Sequence, residues 1–250
     1  ASIRSVTDGR APGLRGLRAM MKPYYSKNGV TIYHGDCRDI LPHLDQVDLV
    51  LTDPPYGVDL KAKRQKLRGG ALIERFGNYS HEDTSEYIKS VVVPVICQCI
   101  DSTLATVVTP VTRNLWLYPP ADDVGCFYSA AGTGVGKWGF TCMQPILYYG
   151  SDPYLRTGQG SRSNSFGQTY CNDANKFAHP CAKPIRMWKA LTSRVSLAGE
   201  TILDPFMGSG TTLRAAKDLG RKAIGIEIEE RYCEIVASRL SQEVMAIGGV

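Results

Sequence analysis

The feature that most limits the possible fold is a regular alternation of strand and helix signals late in the chain. From Glu200 the sequence ETILDPFMGSGTTLRAAKDLGRKAIGIEIEERYCEIVASRLSQEV predicts a strand, a glycine turn, a helix, a second strand and a second helix. Gly220 stands where a glycine commonly ends a helix. This order, together with the apolar strand VDLVLT at 47–52, is typical of a parallel sheet covered by helices. We therefore predict an α/β fold with a doubly wound, mostly parallel sheet.

The rest of the chain supplies further strands, one long helix and one polar segment. Four more stretches predict strands, the last two as a candidate hairpin: GVTIYHGD, TLATVVT, DVGCFYS and FTCMQPILYYG. Thr84 can cap a helix through EYIKSVVVPVICQCI, which Pro94 should kink. Residues 151–178 are rich in Gly, Ser, Asn and Gln, which predicts a long polar loop. The aromatic residues expected to be core or structural are Trp116, Tyr118 and Trp138.

Length and charge bound the domain organisation. A chain of 250 residues with 43% hydrophobic content can bury one sizeable core, so we expect a single domain over residues 23–250. Residues 1–22 contain five basic residues, one acid and no apolar segment, which predicts a flexible basic arm or leader rather than a signal peptide. The eight cysteines include no CxxC pair. We therefore expect reduced thiols, no metal site and a cytoplasmic protein.

The basic arm affects how the net charge of +5 is interpreted, because it carries most of that charge. A nucleic-acid surface on the remaining chain therefore has to be local. The sequence KAKRQKLR at 61–68 is one such cluster, although a run of this kind is by itself more typical of a solvated loop.

The glycine turn LDPFMGSGTTL at 203–213 lies between a predicted strand and a predicted helix. Glycines at such a turn let the backbone approach a ligand, and the N–H groups of the helix start attract an anionic group. Glu227 ends the next predicted strand, 23 residues after Asp204. An acid at about this spacing binds ribose hydroxyls in dinucleotide folds, so the pattern predicts a nucleoside cofactor.

Three nucleotide-binding patterns can be compared with the sequence. A P-loop fails, because GTGVGKW at 132–138 has the wrong glycine spacing and Trp138 where Ser or Thr belongs. A nicotinamide pattern is imperfect, because GSGTTL ends in Leu213 instead of glycine. S-adenosylmethionine needs only the shorter glycine turn, since it has no pyrophosphate.

A second motif ends the apolar strand at 49–52 with Asp53-Pro54-Pro55-Tyr56. A rigid turn would explain the prolines, because proline cannot continue a strand ladder. It would not explain the acid and the tyrosine. With both motifs, the chain resembles the β group of S-adenosylmethionine-dependent amino-methyltransferases of DNA. Their signature pair, D/S/N-P-P-Y/F/W followed by F-x-G-x-G, matches Asp53 to Tyr56 and Phe206 to Gly210, and HGDC at 34–37 and HPCAKP at 179–184 are similar to further family segments.

The resemblance implies a circularly permuted Rossmann-like fold with a catalytic half at 29–150, a short target-recognition loop at 151–178 and a cofactor-binding half at 179–245. It implies catalysis by four residues: Asp53, Pro54, Pro55 and Tyr56. An exocyclic amine of a base extruded from the duplex would donate to the Asp53 carboxylate and the Pro54 carbonyl, while the base stacks on Tyr56. The cofactor residues implied are Asp36, Cys37, His179, Lys183, Asp204, Pro205, Phe206, Met207, Gly208, Ser209, Gly210, Thr211 and Glu227.

Within that set, Lys183 is expected at the methionine carboxylate and Glu227 at the ribose, whereas His179 fits a packed loop histidine equally well. DNA phosphates are expected to contact Lys61, Lys63, Arg64, Lys66 and Arg68. The side chains expected to recognise base edges are Arg156, Arg162, Asn164, Gln168 and Asn172.

Several functional alternatives stay open at this point. Asp in the first motif position favours adenine N6 as the methylated atom, with cytosine N4 as the alternative. A catalytically silent nucleic-acid-binding protein of the same fold is a different class of function, and a nicotinamide oxidoreductase is a distant third. Double-stranded DNA is the expected partner, in a prokaryote or phage, and a homodimer is a further expectation.

Overall fold

The computed structural model describes residues 22–57, 83–130, 134–167 and 183–241. Its main sheet has eight strands in the order β1-β2-β10-β9-β3-β4-β8-β5. The bounds are Tyr25–Lys27 (β1), Val30–His34 (β2), Leu49–Thr52 (β3), Ala105–Val108 (β4), Asp123–Tyr128 (β5), Met143–Gly150 (β8), Thr201–Asp204 (β9) and Lys222–Glu227 (β10). The five strands from β2 to β4 in this order are mutually parallel, and β1, β8 and β5 add antiparallel pairs at the two sides. The predicted mostly parallel sheet is confirmed.

Helices cover both faces of this sheet. Their bounds are Cys37–Ile40 (α1), Ser85–Tyr87 (α2), Val93–Ser102 (α3), Pro153–Arg156 (α4), Ile185–Val195 (α5), Thr211–Asp218 (α6) and Glu230–Ser241 (α7). Alternate residues of β3 pack to opposite sides: Leu49 and Leu51 join the cluster with α5, α6 and α7, and Val50 joins the cluster with α1 and α3. Burial on both faces explains why β3 has an apolar sequence without polar alternation. The doubly wound arrangement is therefore confirmed.

The kink predicted at Pro94 takes a specific form. Residues Ile88–Val92 form a π-helical turn between α2 and α3, and Pro94 lies in the first turn of α3. Proline lacks an N–H and its ring collides with the carbonyl four residues earlier. The wider π-turn accommodates both defects without ending the helix.

The segment 151–178 was predicted as a polar loop, and its described part is more ordered than that. Asp152 caps α4 by accepting a hydrogen bond from the Tyr154 N–H at 2.8 Å. Phe166 then stacks on Phe127 of β5 with ring centroids 4.7 Å apart. The Asp-Pro pair at 152–153 is a helix-start signal that outweighs the polar composition.

One further sequence expectation is wrong. Trp116 and Trp138 are not core residues, because they are 87% and 101% exposed, whereas Tyr118 is buried as expected. The predicted hairpin is confirmed, because β5 and β8 pair antiparallel. The two strands are joined by a small separate sheet, β6 (Gly134–Gly136) paired with β7 (Gly139–Thr141). The glycines of this small sheet interrupt the alternation of apolar and polar side chains by which a strand is recognised in a sequence.

The carboxyl ends of the five parallel strands lie along one edge of the sheet, called the carboxyl edge below. Side chains at the ends of parallel strands converge there, which is where ligands bind in open α/β sheets. No helix among the described residues is long and apolar enough to cross a membrane.

Candidate active site

One pocket at the carboxyl edge brings both sequence motifs together. Its lining includes residues from the ends of β2, β3, β9 and β10, with α5 and α6 contributing Trp188, Thr211 and Thr212. Both the Asp53–Tyr56 turn and residues Asp204–Ser209 face this pocket. The motifs are about 150 residues apart in sequence, and they meet because β9 lies directly beside β3 in the sheet.

The glycine turn after β9 is held by Glu227 at the end of β10. One carboxylate oxygen of Glu227 accepts the Gly208 N–H at 2.9 Å, and the other accepts the Glu229 N–H at 2.9 Å. Burial raises the pKa of this carboxyl to about 7, and the two N–H donors act in the opposite direction. The sequence predicted that turn N–H groups would face an anionic ligand, but in this structure the Gly208 N–H faces the protein's own carboxylate.

Gly210 has a packing role that its motif did not reveal. Its φ of +70° lies in the left-handed region, and a Cβ there would lie 2.5 Å from Val236 Cγ1 of α7. Gly210 is not among the residues that line the pocket, whereas Gly208 and Ser209 are. The last glycine of the turn thus permits close contact between the start of α6 and α7.

Asp204 is buried at the end of β9 and stabilises the glycine turn that follows it. Its carboxylate accepts hydrogen bonds from the Thr52 hydroxyl at 2.7 Å and from the Phe206 N–H at 3.1 Å. Burial raises its pKa to about 6. The Thr52 contact joins the cofactor-side strand to the strand that precedes Asp53, so this acid fixes the two motifs relative to each other.

Asp36 and Cys37, which the sequence assigned to the cofactor, line the pocket at the end of β2. The Asp36 carboxylate caps α1 through the Arg38 N–H at 2.9 Å and pairs with the Arg38 guanidinium at 2.6 Å. Burial raises the pKa of the Cys37 thiol to about 12. Cys37 therefore presents a neutral, weakly polar surface to the pocket rather than a reactive thiolate.

The Asp53 turn is surrounded by donors. Oδ1 of Asp53 accepts hydrogen bonds from the Tyr56 hydroxyl at 2.6 Å, the Thr109 hydroxyl at 2.6 Å and the Gln144 side-chain amide at 3.3 Å. Arg113 and Asn114 both donate to the Tyr56 carbonyl, at 2.8 and 2.9 Å. These contacts fix the direction of the carboxylate and of the turn. Apart from Tyr56 itself, they come from the segment that follows β4 and from the start of β8.

Lys183 contacts the other oxygen of the Asp53 carboxylate. Its ammonium pairs with Asp53 Oδ2, donates to the Tyr56 hydroxyl and lies 4.7 Å from the centroid of the Tyr56 ring. The sequence placed Lys183 with the cofactor, and the structure places it between the two motifs, since the residue also lines the pocket with Asp204 to Ser209. The two groups expected to receive a target base are thus both in contact with one lysine.

The residues expected to recognise DNA bases are only partly described. Arg156 pairs with Glu200 at 3.0 Å, the Arg162 guanidinium stacks on Tyr154, and the Asn164 amide donates to Asp123 at 3.0 Å. None of the three lines the pocket. Their role in reading DNA stays a prediction that this placement does not support. The predicted residues that lie outside the described part of the chain are Lys61, Lys63, Arg64, Lys66, Arg68, Gln168, Asn172 and His179.

Sequence reasoning missed several residues of the site. Thr109 directly follows β4, so a topology with β4 beside β3 would have placed it near Asp53. Gln144 lies near the start of β8, an antiparallel strand that begins at the carboxyl edge, and no motif marks it. Pocket residues that were also missed are Tyr87, Trp188, Thr212, Ile228, Glu229 and Tyr232.

Comparisons with known proteins agree with this geometry. The chain is 26% identical to the type II methyltransferase M.ScaI of Streptomyces caespitosus over 92% of this chain and 87% of that protein. Among solved structures, it is similar to an M1.HpyAVI–SAM complex (TM-score 0.55, 18% identity, 85% of this chain and 100% of that one). It is also similar to the cytosine-N4-specific PvuII DNA methyltransferase (TM-score 0.63, 15% identity, 90% and 91%). These two likenesses show the fold.

The family model described as DNA methylase matches residues 110–238, just over half of the chain, which include the glycine turn, Glu227, Gln144 and Lys183. The chain therefore belongs to the DNA methylase family whose members methylate exocyclic amines of bases.

Proposed function

We propose that this protein methylates N6 of adenine in DNA, with Asp53 as the residue that orients the target amine. The methyl donor is S-adenosylmethionine, as in the family to which the chain belongs. The observation that carries the proposal is the position of the Asp53 carboxylate, which faces the same pocket as the glycine turn, with Oδ1 held by neutral donors and Oδ2 paired with Lys183. Asp in the first position of the motif supports adenine over cytosine.

The pocket suits a nucleoside that carries a methionine side chain. It is an open pocket, and its lining has acids at the ends of the neighbouring strands β2 and β10, Asp36 and Glu227. Carboxylates there can accept from ribose hydroxyls, and the neutral Cys37 thiol and the rings of Phe206 and Tyr87 can pack on adenine. Lys183 would receive the methionine carboxylate. When bound, S-adenosylmethionine supplies an electrophilic methyl group on a sulfonium.

The protein's own task is to prepare the amine. An exocyclic amino nitrogen is a poor nucleophile because its lone pair is delocalised into the ring of the base. Asp53 Oδ2 and the Pro54 carbonyl can each accept one N–H, which favours a tetrahedral nitrogen with its lone pair directed at the methyl group. The Thr109 and Gln144 donors to Oδ1 hold the carboxylate in place during this step. Positioning of two reactants in this way can lower a barrier by about 7–11 kcal/mol at best.

Several earlier expectations become part of this proposal. Residues 61–68 would bind DNA phosphates, residues 151–178 would belong to target recognition, and two subunits would share the recognition of one site. Phosphate contacts make affinity fall with salt by roughly 0.9 log unit per contact for each log unit of salt. Neutralising the five basic side chains of 61–68 should therefore flatten the salt dependence of binding.

The test is incubation of DNA with tritiated S-adenosylmethionine followed by nucleoside analysis. We expect labelled N6-methyl-2′-deoxyadenosine, and labelled N4-methyl-2′-deoxycytidine instead would overturn the adenine assignment. Asp53→Ala should lower the rate by about a hundredfold or more while cofactor affinity measured by calorimetry is retained. Asp101→Ala is the matched control, since Asp101 is an exposed aspartate at the other end of the sheet. Equal loss of rate and cofactor affinity in Asp53→Ala would make Asp53 a cofactor ligand instead.

A further inference from the structure

The hairpin of β6 and β7 carries aromatic side chains that do not pack into the core formed by the described residues. It forms a two-stranded sheet of its own between β5 and β8. Trp138, at its tip, is fully exposed, and Phe140 is 78% exposed. Exposed indole and phenyl groups at the end of a projecting hairpin are typical of an interaction surface, because large apolar groups are otherwise buried on folding.

The hairpin stands beside the catalytic turn. β5 and β4 both pair antiparallel with β8, so β5 also ends at the carboxyl edge. Val108, the last residue of β4, is opposite Leu147, and β8 begins four residues earlier at Met143. At about 3.3 Å per residue, the β5–β8 pair extends roughly 13 Å beyond β4. Gln144 contacts Asp53 and Tyr56 at this extension, so the hairpin rises directly from the rim of the site.

Charge and shape indicate the kind of partner. Residues 129–144 contain no Asp or Glu and one basic residue, Lys137, beside Trp138. A neutral-to-basic aromatic tip suits an anionic ligand that has flat apolar faces, which describes nucleic acid. The strands are narrow because Gly136 and Gly139 carry no side chains, and Gly139 has a φ of +115° that disfavours any replacement. A narrow ribbon with a large ring at its tip can enter between base pairs.

We propose that this hairpin inserts Trp138 into the DNA duplex next to the target base and replaces the stacking that the base loses on extrusion. The inference rests on the proposed function, because it assumes that a base leaves the duplex for the Asp53 site. Apolar side chains that enter base steps are an established means of unstacking a duplex. Phe140 supports the tip from the adjacent strand, and Lys137 is placed for a phosphate contact.

The experiment compares three variants on two duplexes. Trp138→Ala removes the ring, Trp138→Phe retains an aromatic face, and Leu104→Ala removes an exposed apolar side chain directly before β4, at the opposite edge of the sheet. One duplex carries a site that the wild-type protein methylates, and the other has an abasic position opposite the target base. Binding by fluorescence anisotropy, methylation rate and cofactor affinity are measured on each.

We expect Trp138→Ala to weaken binding and methylation of the paired duplex about tenfold, the order of effect of stacking one base on an aromatic side chain. The loss should largely disappear on the abasic duplex, where no pairing resists extrusion, and Trp138→Phe and Leu104→Ala should resemble the wild type. An equal loss on both duplexes, or no loss, would overturn the proposed insertion of Trp138.

A change in sedimentation behaviour of Trp138→Ala would assign the tip to a contact between two copies of the chain instead. Retained cofactor affinity shows that the variant is folded. Failure of the wild-type protein to methylate either duplex would refute the proposed function rather than the insertion of Trp138. The outcomes that refute the two proposals are therefore distinguishable.

Discussion

Replacement of Glu227 by glutamine should remove a pH dependence from cofactor binding. Glu227 is buried at the glycine turn, and burial raises the pKa of its carboxyl from 4.5 to about 7. An acid with a raised pKa is protonated below that value, so in the free protein Glu227 is neutral at pH 6 and ionised at pH 8. Ribose hydroxyls donate most strongly to the ionised form. Cofactor affinity should therefore fall as the pH drops through 7.

The size of the effect follows from the pKa. If the bound carboxyl stays ionised, binding at pH 6.5 releases about 0.75 proton, and affinity falls about tenfold between pH 8 and pH 6. Calorimetry in buffers of different ionisation enthalpy measures the released protons directly. Glu227→Gln should bind more weakly at every pH and release fewer protons. Because the cofactor's own amino group titrates equally in both proteins, the difference between them isolates Glu227. Equal proton release by the two proteins would refute the assignment of Glu227 to the ribose.

Two further substitutions separate packing from catalysis. Gly210→Ala should lower the free energy of unfolding in urea by about 2–4 kcal/mol, because the new side chain is strained in the left-handed region and contacts Val236. The double variant with Val236→Ala should regain the part of this loss that comes from the contact. Strictly additive effects of the two changes would contradict a contact between the two side chains. Gln144→Ala should lower the methylation rate about tenfold with unchanged cofactor affinity, because the Asp53 carboxylate and the Tyr56 hydroxyl each lose a hydrogen-bond donor. An unchanged rate would show that Gln144 does not contribute to the reaction.

The sequence predicts those parts of the fold and site that depend on local patterns. Apolar strands, the glycine turn and the Asp-Pro-Pro-Tyr turn all follow from nearest-neighbour chemistry, and the parallel sheet follows from their alternation. The convergence of Asp53, Asp204 and Glu227 is then a consequence of topology, because each residue lies at or just after the end of a parallel strand.

The remaining features depend on contacts between distant segments. Nothing in the sequence near Gln144 or Thr109 indicates that both donate to Asp53. The exposure of Trp138 was predicted wrongly because large aromatics are usually buried, and only the projection of the hairpin shows otherwise. Gly210 matched a ligand-binding motif, yet the side chain it makes room for is Val236 on the last described helix. Motifs identify which residues matter, whereas the packing decides what each one touches.

The contacts of Lys183 suggest an order of events at the site. In the free protein its ammonium holds both the Asp53 carboxylate and the face of Tyr56, the two groups proposed to receive the target base. A base can enter only if Lys183 moves. With S-adenosylmethionine bound, Lys183 would share the pocket with the sulfonium and with the ammonium and carboxylate of the methionine end. Two unit charges about 5 Å apart repel by about 3 kcal/mol at an effective dielectric constant of about 20. We infer that both forces draw Lys183 from Asp53 towards the methionine carboxylate, so that cofactor binding prepares the base site. S-adenosylhomocysteine has the carboxylate but no sulfonium charge, and it should therefore favour base extrusion less. Fluorescence of 2-aminopurine at the target position, measured with each compound, tests this order. Equal extrusion with both, and in Lys183→Met, would show that Lys183 does not guard the site.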